Sequence, residues 1–123
     1  MDNKTVLSFT VTIYVGFKEL DTGVMHTVTE ARQICQDYCD EVGLCVTVTP
    51  TEYIYTDGNE PGVAIGLINY PRFPARPRKI RRRALELARR LMLVFNQYRV
   101  SVVFPLRTVM LSNVNLPGGK CQN

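Results

Sequence analysis

A chain of 123 residues, 46% hydrophobic and 21% charged, is one domain with enough apolar side chains for its own core. No apolar run approaches the roughly 20 residues that span a bilayer. The start MDNKTVLSF lacks the charge-then-apolar layout of a secretory leader. Membrane-spanning and exported classes are therefore set aside, and a cytosolic protein with free thiols at Cys35, Cys39, Cys45 and Cys121 is expected. The net charge of +4 conceals an asymmetry. Residues 72–83 hold seven of the 15 basic residues and none of the 11 acidic ones, a local +7, which leaves −3 for the rest. Such a patch reads as an anion site on an otherwise mildly acidic surface.

In chain order, TVLSFTVTIYVGF (5–17) alternates strictly, with Leu7, Phe9, Val11, Ile13 and Val15 on one face and Ser8, Thr10, Thr12 and Tyr14 on the other. That pattern predicts a strand with one core face. A polar loop follows. Thr27 and Glu30 then have capping-box spacing, Ala31, Ile34, Cys35, Tyr38 and Val42 recur at helical spacing, and Gly43 ends the helix. LCVTVTPTEYIYT (44–56) is a second strand, DGNEPG (57–62) a turn, and VAIGLINY (63–70) a third strand. Prolines 71, 74 and 77 stiffen the next loop, and a basic helix spans about 77–97. RVSVVF (99–104) is a fourth strand and RTVMLSNV (107–114) a fifth, before a C-terminal tail over 115–123 that is expected to fray.

The order β-α-β-β-α-β plus one strand predicts an α+β fold, an antiparallel sheet of four to five strands with two helices on one face, in the ferredoxin-like layout. The loop over 18–26 and the 57–62 hairpin then share one sheet end. The proline loop and the start of the basic helix occupy the other. Ile80, Ala84, Leu87, Ala88, Leu91, Phe95 and Tyr98 form the expected core stripe, with Leu85 and Leu93 on the far side. Those leucines, or the Thr-rich outer sheet face, predict a homo-oligomer.

Catalytic signatures are scarce. The sole histidine, His26, reads as a solvated loop residue ahead of the helix cap. Cys35, Cys39 and Cys45 lack the paired spacing of a zinc site and read as small apolar side chains. Glu19, Asp21, Asp57 and Glu60 converge at one sheet end, which turn composition explains as well as a cation site does. No G-x-S-x-G, G-x-x-x-x-G-K-[ST] or G-x-G-x-x-G occurs. With no activated nucleophile or metal-bound water in view, no catalysis, cofactor or metal is expected.

The segment NYPRFP offers a ligand site instead. Each aromatic precedes a proline, which restricts its backbone. Asn69, Tyr70, Arg72 and Phe73 could stack on and read a nucleobase, with Arg76, Arg81 or Arg82 reaching phosphates. Arg99 and Arg107, flanking the last strands, are second-rank candidates. The alternative is that Tyr70 and Phe73 plug the end of the core. RNA-recognition modules share the element order, but their third strand carries stacking aromatics where this one has Ala64 and Gly66. Nucleic acid is therefore not the expected partner. Single-stranded RNA binding, or a purely structural oligomer, is the second reading.

Two blocks, GLCVTVTPTEYIYTDGNEPGVAIGLINYPRFP (43–74) and FNQYRVSVVFPLRTVMLSN (95–113), resemble the first-described family of phage Thoeris anti-defence sponges. The resemblance implies a non-catalytic protein of the host bacterial cytoplasm that sequesters glycocyclic ADP-ribose or small cyclic oligonucleotides. It also implies assembly as a dimer or trimer of dimers, with ligands between protomers.

Overall fold

The computed structural model of the chain describes residues 1–116. The alternating first segment forms β1 (Thr10–Gly16), which buries Val11, Ile13 and Val15 and leaves Tyr14 exposed. β1 is the central strand of a five-stranded antiparallel sheet ordered β2-β3-β1-β4-β5, where β2 is Thr47–Tyr55, β3 Gly58–Ile68, β4 Arg99–Val103 and β5 Thr108–Ser112. Val63, Ile65 and Leu67 of β3 and Val100 and Val102 of β4 continue the buried face. Helices α1 (Val28–Val42) and α2 (Pro77–Val94) supply the opposing layer through Ala31, Cys35, Tyr38, Ile80, Ala84, Leu87 and Leu91. This is the expected α+β, ferredoxin-like arrangement with its additional fifth strand.

The local signals for α1 act as expected. Thr27 and Glu30 form both halves of the capping box, and Gly43 closes the helix at φ 72°. That left-handed conformation favours glycine. α2 starts on Pro77 but has no side-chain cap. It stops three residues short of the expected end because Asn96 adopts φ 49°. The β2–β3 turn is also tighter than expected. Tyr55 pairs with Gly58, and Asp57 takes φ 62°, so the strand runs through Asn59, Glu60 and Pro61.

The expected leucine stripe on α2 is absent. Leu93 is exposed, but Leu85 packs against the core. Leu85 lies seven residues before Met92, about 20° away around the helix at 3.6 residues per turn, and Met92 is buried. Cys35 is buried, Cys39 half-buried and Cys45 exposed, and all three are free thiols. Burial pushes the Cys35 thiol up to about 12, which makes it a packing group rather than a nucleophile. Cys121 and most of the expected tail lie outside the described residues. Among the described residues, no helix is long and apolar enough to cross a membrane.

Candidate functional site

The β1–α1 loop folds back on itself through Lys18, which bridges to Met25, and through Glu19, whose N–H donates to Val24 O at 2.8 Å. This places the buried Glu19 carboxylate 2.5 Å from His26 Nε2, while His26 Nδ1 lies 2.9 Å from Glu30 Oε2 at the helix start. The imidazole stacks on Phe95 with centroids 4.5 Å apart. His26 is therefore a half-buried clamp, not the solvated loop residue expected. Burial lowers its affinity for the proton, but the hydrogen bonds to Glu30 and Glu19 outweigh that and raise its pKa above the ordinary value. The hydrogen bond from His26 holds Glu19 below the usual carboxylate range against the effect of burial. Both ring nitrogens are donors in the imidazolium, and both are taken up by carboxylates. The clamp fixes the loop and has no nitrogen left for a substrate.

Beside it, on the outer face of the sheet, lies a strip of bare backbone where Gly16 pairs with Gly62. Tyr53 of β2 leans over this strip, donates to Val63 O at 2.9 Å, and meets Tyr14 edge-to-face at 6.4 Å. The Tyr53 ring occupies the space of a missing side chain: a methyl group on Gly62 would stand 2.3 Å from the ring and 2.4 Å from Val15 O. Gly62→Ala is accordingly expected to destabilise the fold by about 1–3 kcal/mol through overpacking, since paired backbone cannot retreat. An unchanged thermal midpoint would show that Tyr53 does not lie there.

Glu60 completes the group. Its Oε2 accepts from Lys18 N–H at 3.2 Å and reaches over Gly16, where an added methyl would meet it at 2.6 Å. Among the described residues nothing donates to Oε1. Burial raises the Tyr53 phenol to about 12, so it stays neutral. Two aromatic rings and a half-buried carboxylate suit a cationic ligand with a flat ring. Ring faces and carboxylates both attract positive charge. Among the described residues, no cluster of three or more metal-ligating side chains occurs.

The residues singled out in sequence lie elsewhere. Asn69, Tyr70 and Phe73 do come together at the opposite sheet end, around a cavity of about 170 Å³ that Lys79 and Arg83 also line. Asn69 reads no base: its Nδ2 donates to Leu7 O and its Oδ1 accepts from Ala75 N, each at 2.9 Å. Phe73 is 49% exposed, so it is not a core plug. Arg72, Arg76 and Arg82 are exposed outside the cavity. Arg81 lies over the Phe104 ring at 4.6 Å. Arg107 joins Arg81 at a separate shallow hollow, and Arg99 is exposed on β4. The acidic and aromatic group was only partly legible: Glu19, Asp21, Asp57 and Glu60 signalled a shared end, while His26, Tyr14 and Tyr53 gave no local signal.

The sequence matches no protein-family model and no curated protein. Its fold does match solved structures. A phage SAM lyase in complex with S-methyl-5′-thioadenosine aligns at TM-score 0.72 and 14% identity, over 92% of this chain and 95% of that one. A phage SAM lyase in the apo state aligns at TM-score 0.69 and 13% identity, over 86% and 90%. At this identity the likeness establishes the fold. It also overturns the expectation of a non-catalytic module, because the fold read as inert is shared by an enzyme. The missing nucleophile and metal exclude less than they seemed to. A reaction whose substrate carries its own nucleophile and leaving group needs neither. The neighbours are phage proteins, as the resemblance implied, but neither is a cyclic-nucleotide sponge.

Proposed function

We propose that this chain is a lyase that cleaves S-adenosylmethionine and releases methylthioadenosine. The observation that carries the reading is the shared fold over nine-tenths of the chain with a SAM lyase that holds that thioether. The acidic and aromatic end supplies the fitting chemistry. The sulfonium is a cation, so it is drawn to Glu60 and the Tyr14–Tyr53 rings and repelled from the seven-cation segment at the far end. The substrate's own α-carboxylate closes on Cγ, the Cγ–S bond breaks, and its electron pair returns to sulfur. The products are a neutral thioether and an amino-lactone that keeps its ammonium. No water, metal or proton donor is consumed. The reaction annihilates a cation and an anion, so removal from water speeds it, and the chain's work is to bind, orient and desolvate.

Incubation with S-adenosylmethionine and chromatography of the products tests this. Methylthioadenosine in molar excess over protein is expected, and substrate recovered intact after prolonged incubation would sink the reading. Loss of the methyl donor in a phage-infected cell is the anti-defence role we assign, in the host cytoplasm.

A homo-oligomer belongs to the same proposal. Tyr14, Val103 and Met110 stand 41%, 36% and 54% exposed on the outer sheet face, which no helix covers among the described residues. A second copy on this face desolvates the rim where Glu60 and Tyr53 lie. Solution mass above that of one chain is expected at micromolar concentration, with Met110→Asp shifting it down. A wild-type monomer would remove this part of the proposal.

A further inference from the structure

We propose that the proline-braced loop and the first turns of α2 form a second site, which binds single-stranded nucleic acid. Tyr70 and Phe73 lie 5.3 Å apart, inclined by 34°, at the mouth of the cavity that Lys79 and Arg83 line. The loop that carries the pair is braced by its own hydrogen bonds. Asn69 ties the loop to Leu7 and Ala75, and Phe73 N–H donates to Tyr70 O at 3.1 Å. A rigid aromatic pair with one exposed ring is a stacking platform for an unpaired base.

The charges around it point to more than one phosphate. Arg83 has an acidic partner, Glu86, at 3.3 Å. Among the described residues, Arg72, Arg76, Arg78, Lys79 and Arg82 have none within 4.0 Å. On the helix, Lys79 and Arg83 form one row at the cavity and Arg78 and Arg82 the adjoining row, each pair one turn apart. A single mononucleotide can satisfy two of these cations. A strand that seats one base at the cavity and runs its phosphates along the second row satisfies four. A duplex fits poorly, because its bases are not free to stack on Phe73. The site is on a loop and does not use the sheet face where Ala64 and Gly66 stand in place of stacking aromatics. It is also independent of the lyase reading, being at the other end of the molecule.

Fluorescence anisotropy with the full chain and a labelled single strand of about twelve nucleotides tests it, since single-strand sites span roughly 4–16. Binding that weakens steeply with salt is expected. Phe73→Ala is expected to reduce affinity about 5- to 150-fold by loss of stacking. Arg78→Ala with Arg82→Ala is expected to flatten the log–log salt slope by about 1.4, at roughly 0.7 per phosphate. If Phe73→Ala fails to melt cooperatively, Phe73→Leu keeps the apolar bulk without the ring and carries the same comparison. The proposal is overturned if no single strand binds at about 50 mM salt. It is overturned equally if a duplex binds as well and neither Phe73 variant matters, or if AMP competes mole for mole with the strand.

Discussion

Glu60→Gln is expected to lower kcat/KM for S-adenosylmethionine cleavage by about 5- to 800-fold, the equivalent of an ion–ion attraction of about 1–4 kcal/mol at roughly 4 Å. The carboxylate is half-buried over Gly16, with one oxygen held by Lys18 N–H and the other without a donor among the described residues. It attracts a sulfonium that is charged in the ground state and becomes neutral as the Cγ–S bond breaks. An interaction with disappearing charge binds substrate without lowering the chemical barrier. The loss is therefore expected in KM, with kcat held or slightly raised. Steady-state rates of methylthioadenosine formation decide it. A fall in kcat at constant KM would mean that Glu60 removes a proton, and hence that the bond breaks by elimination rather than lactone closure. No change in either constant would put the sulfonium elsewhere.

His26→Ala is expected to destabilise the fold by about 3 kcal/mol. Removing one member of a buried ion pair typically costs roughly 3–5 kcal/mol, because the partner is left as an uncompensated charge. Here the clamp keeps an accessible edge, with His26 and Glu19 side chains 10% and 8% exposed, which places the effect at the lower end. The stacking on Phe95 is lost as well. Replacing both partners, His26→Leu with Glu19→Leu, is expected to recover most of the loss, since no charge then stays buried. Equal destabilisation in the single and double variants would contradict the pairing.

The same clamp sets a pH window. His26 is raised above 6.5, so its contribution is complete below 6.5 and lost as pH climbs through the folded-state value. Glu19 is lowered below 4.5, so its contribution is complete above 4.5 and lost as pH falls through its own folded-state value. Stability is expected to be greatest between these limits, and the alkaline decline should vanish in His26→Ala.

The parts of the fold that depend on neighbours along the chain were legible. Strict alternation gave β1 its buried face, the Thr27–Glu30 box and Gly43 bounded α1, and element order implied the antiparallel sheet. Errors arose where a local pattern met a tertiary decision. Leu85 looked like a surface leucine until packing placed it beside Met92. The DGNEPG segment looked like a wide turn, but Thr56 and Asp57 reverse the chain and pairing with β2 draws the rest into β3.

The candidate site shows the same division. Composition and spacing by themselves determined the fold class, the sheet ends and the concentration of cations over 72–83, because periodicity, capping and charge counts act over a few residues. They also brought Asn69, Tyr70 and Phe73 into one loop. Only the tertiary structure set His26 between Glu19 and Glu30, laid Tyr53 over Gly62 and turned Glu60 toward Gly16. Each of these joins residues on different elements or across a folded loop. Which of many polar side chains meet there depends on strand register and on which faces the core has already claimed, and neither is written in any short stretch of chain.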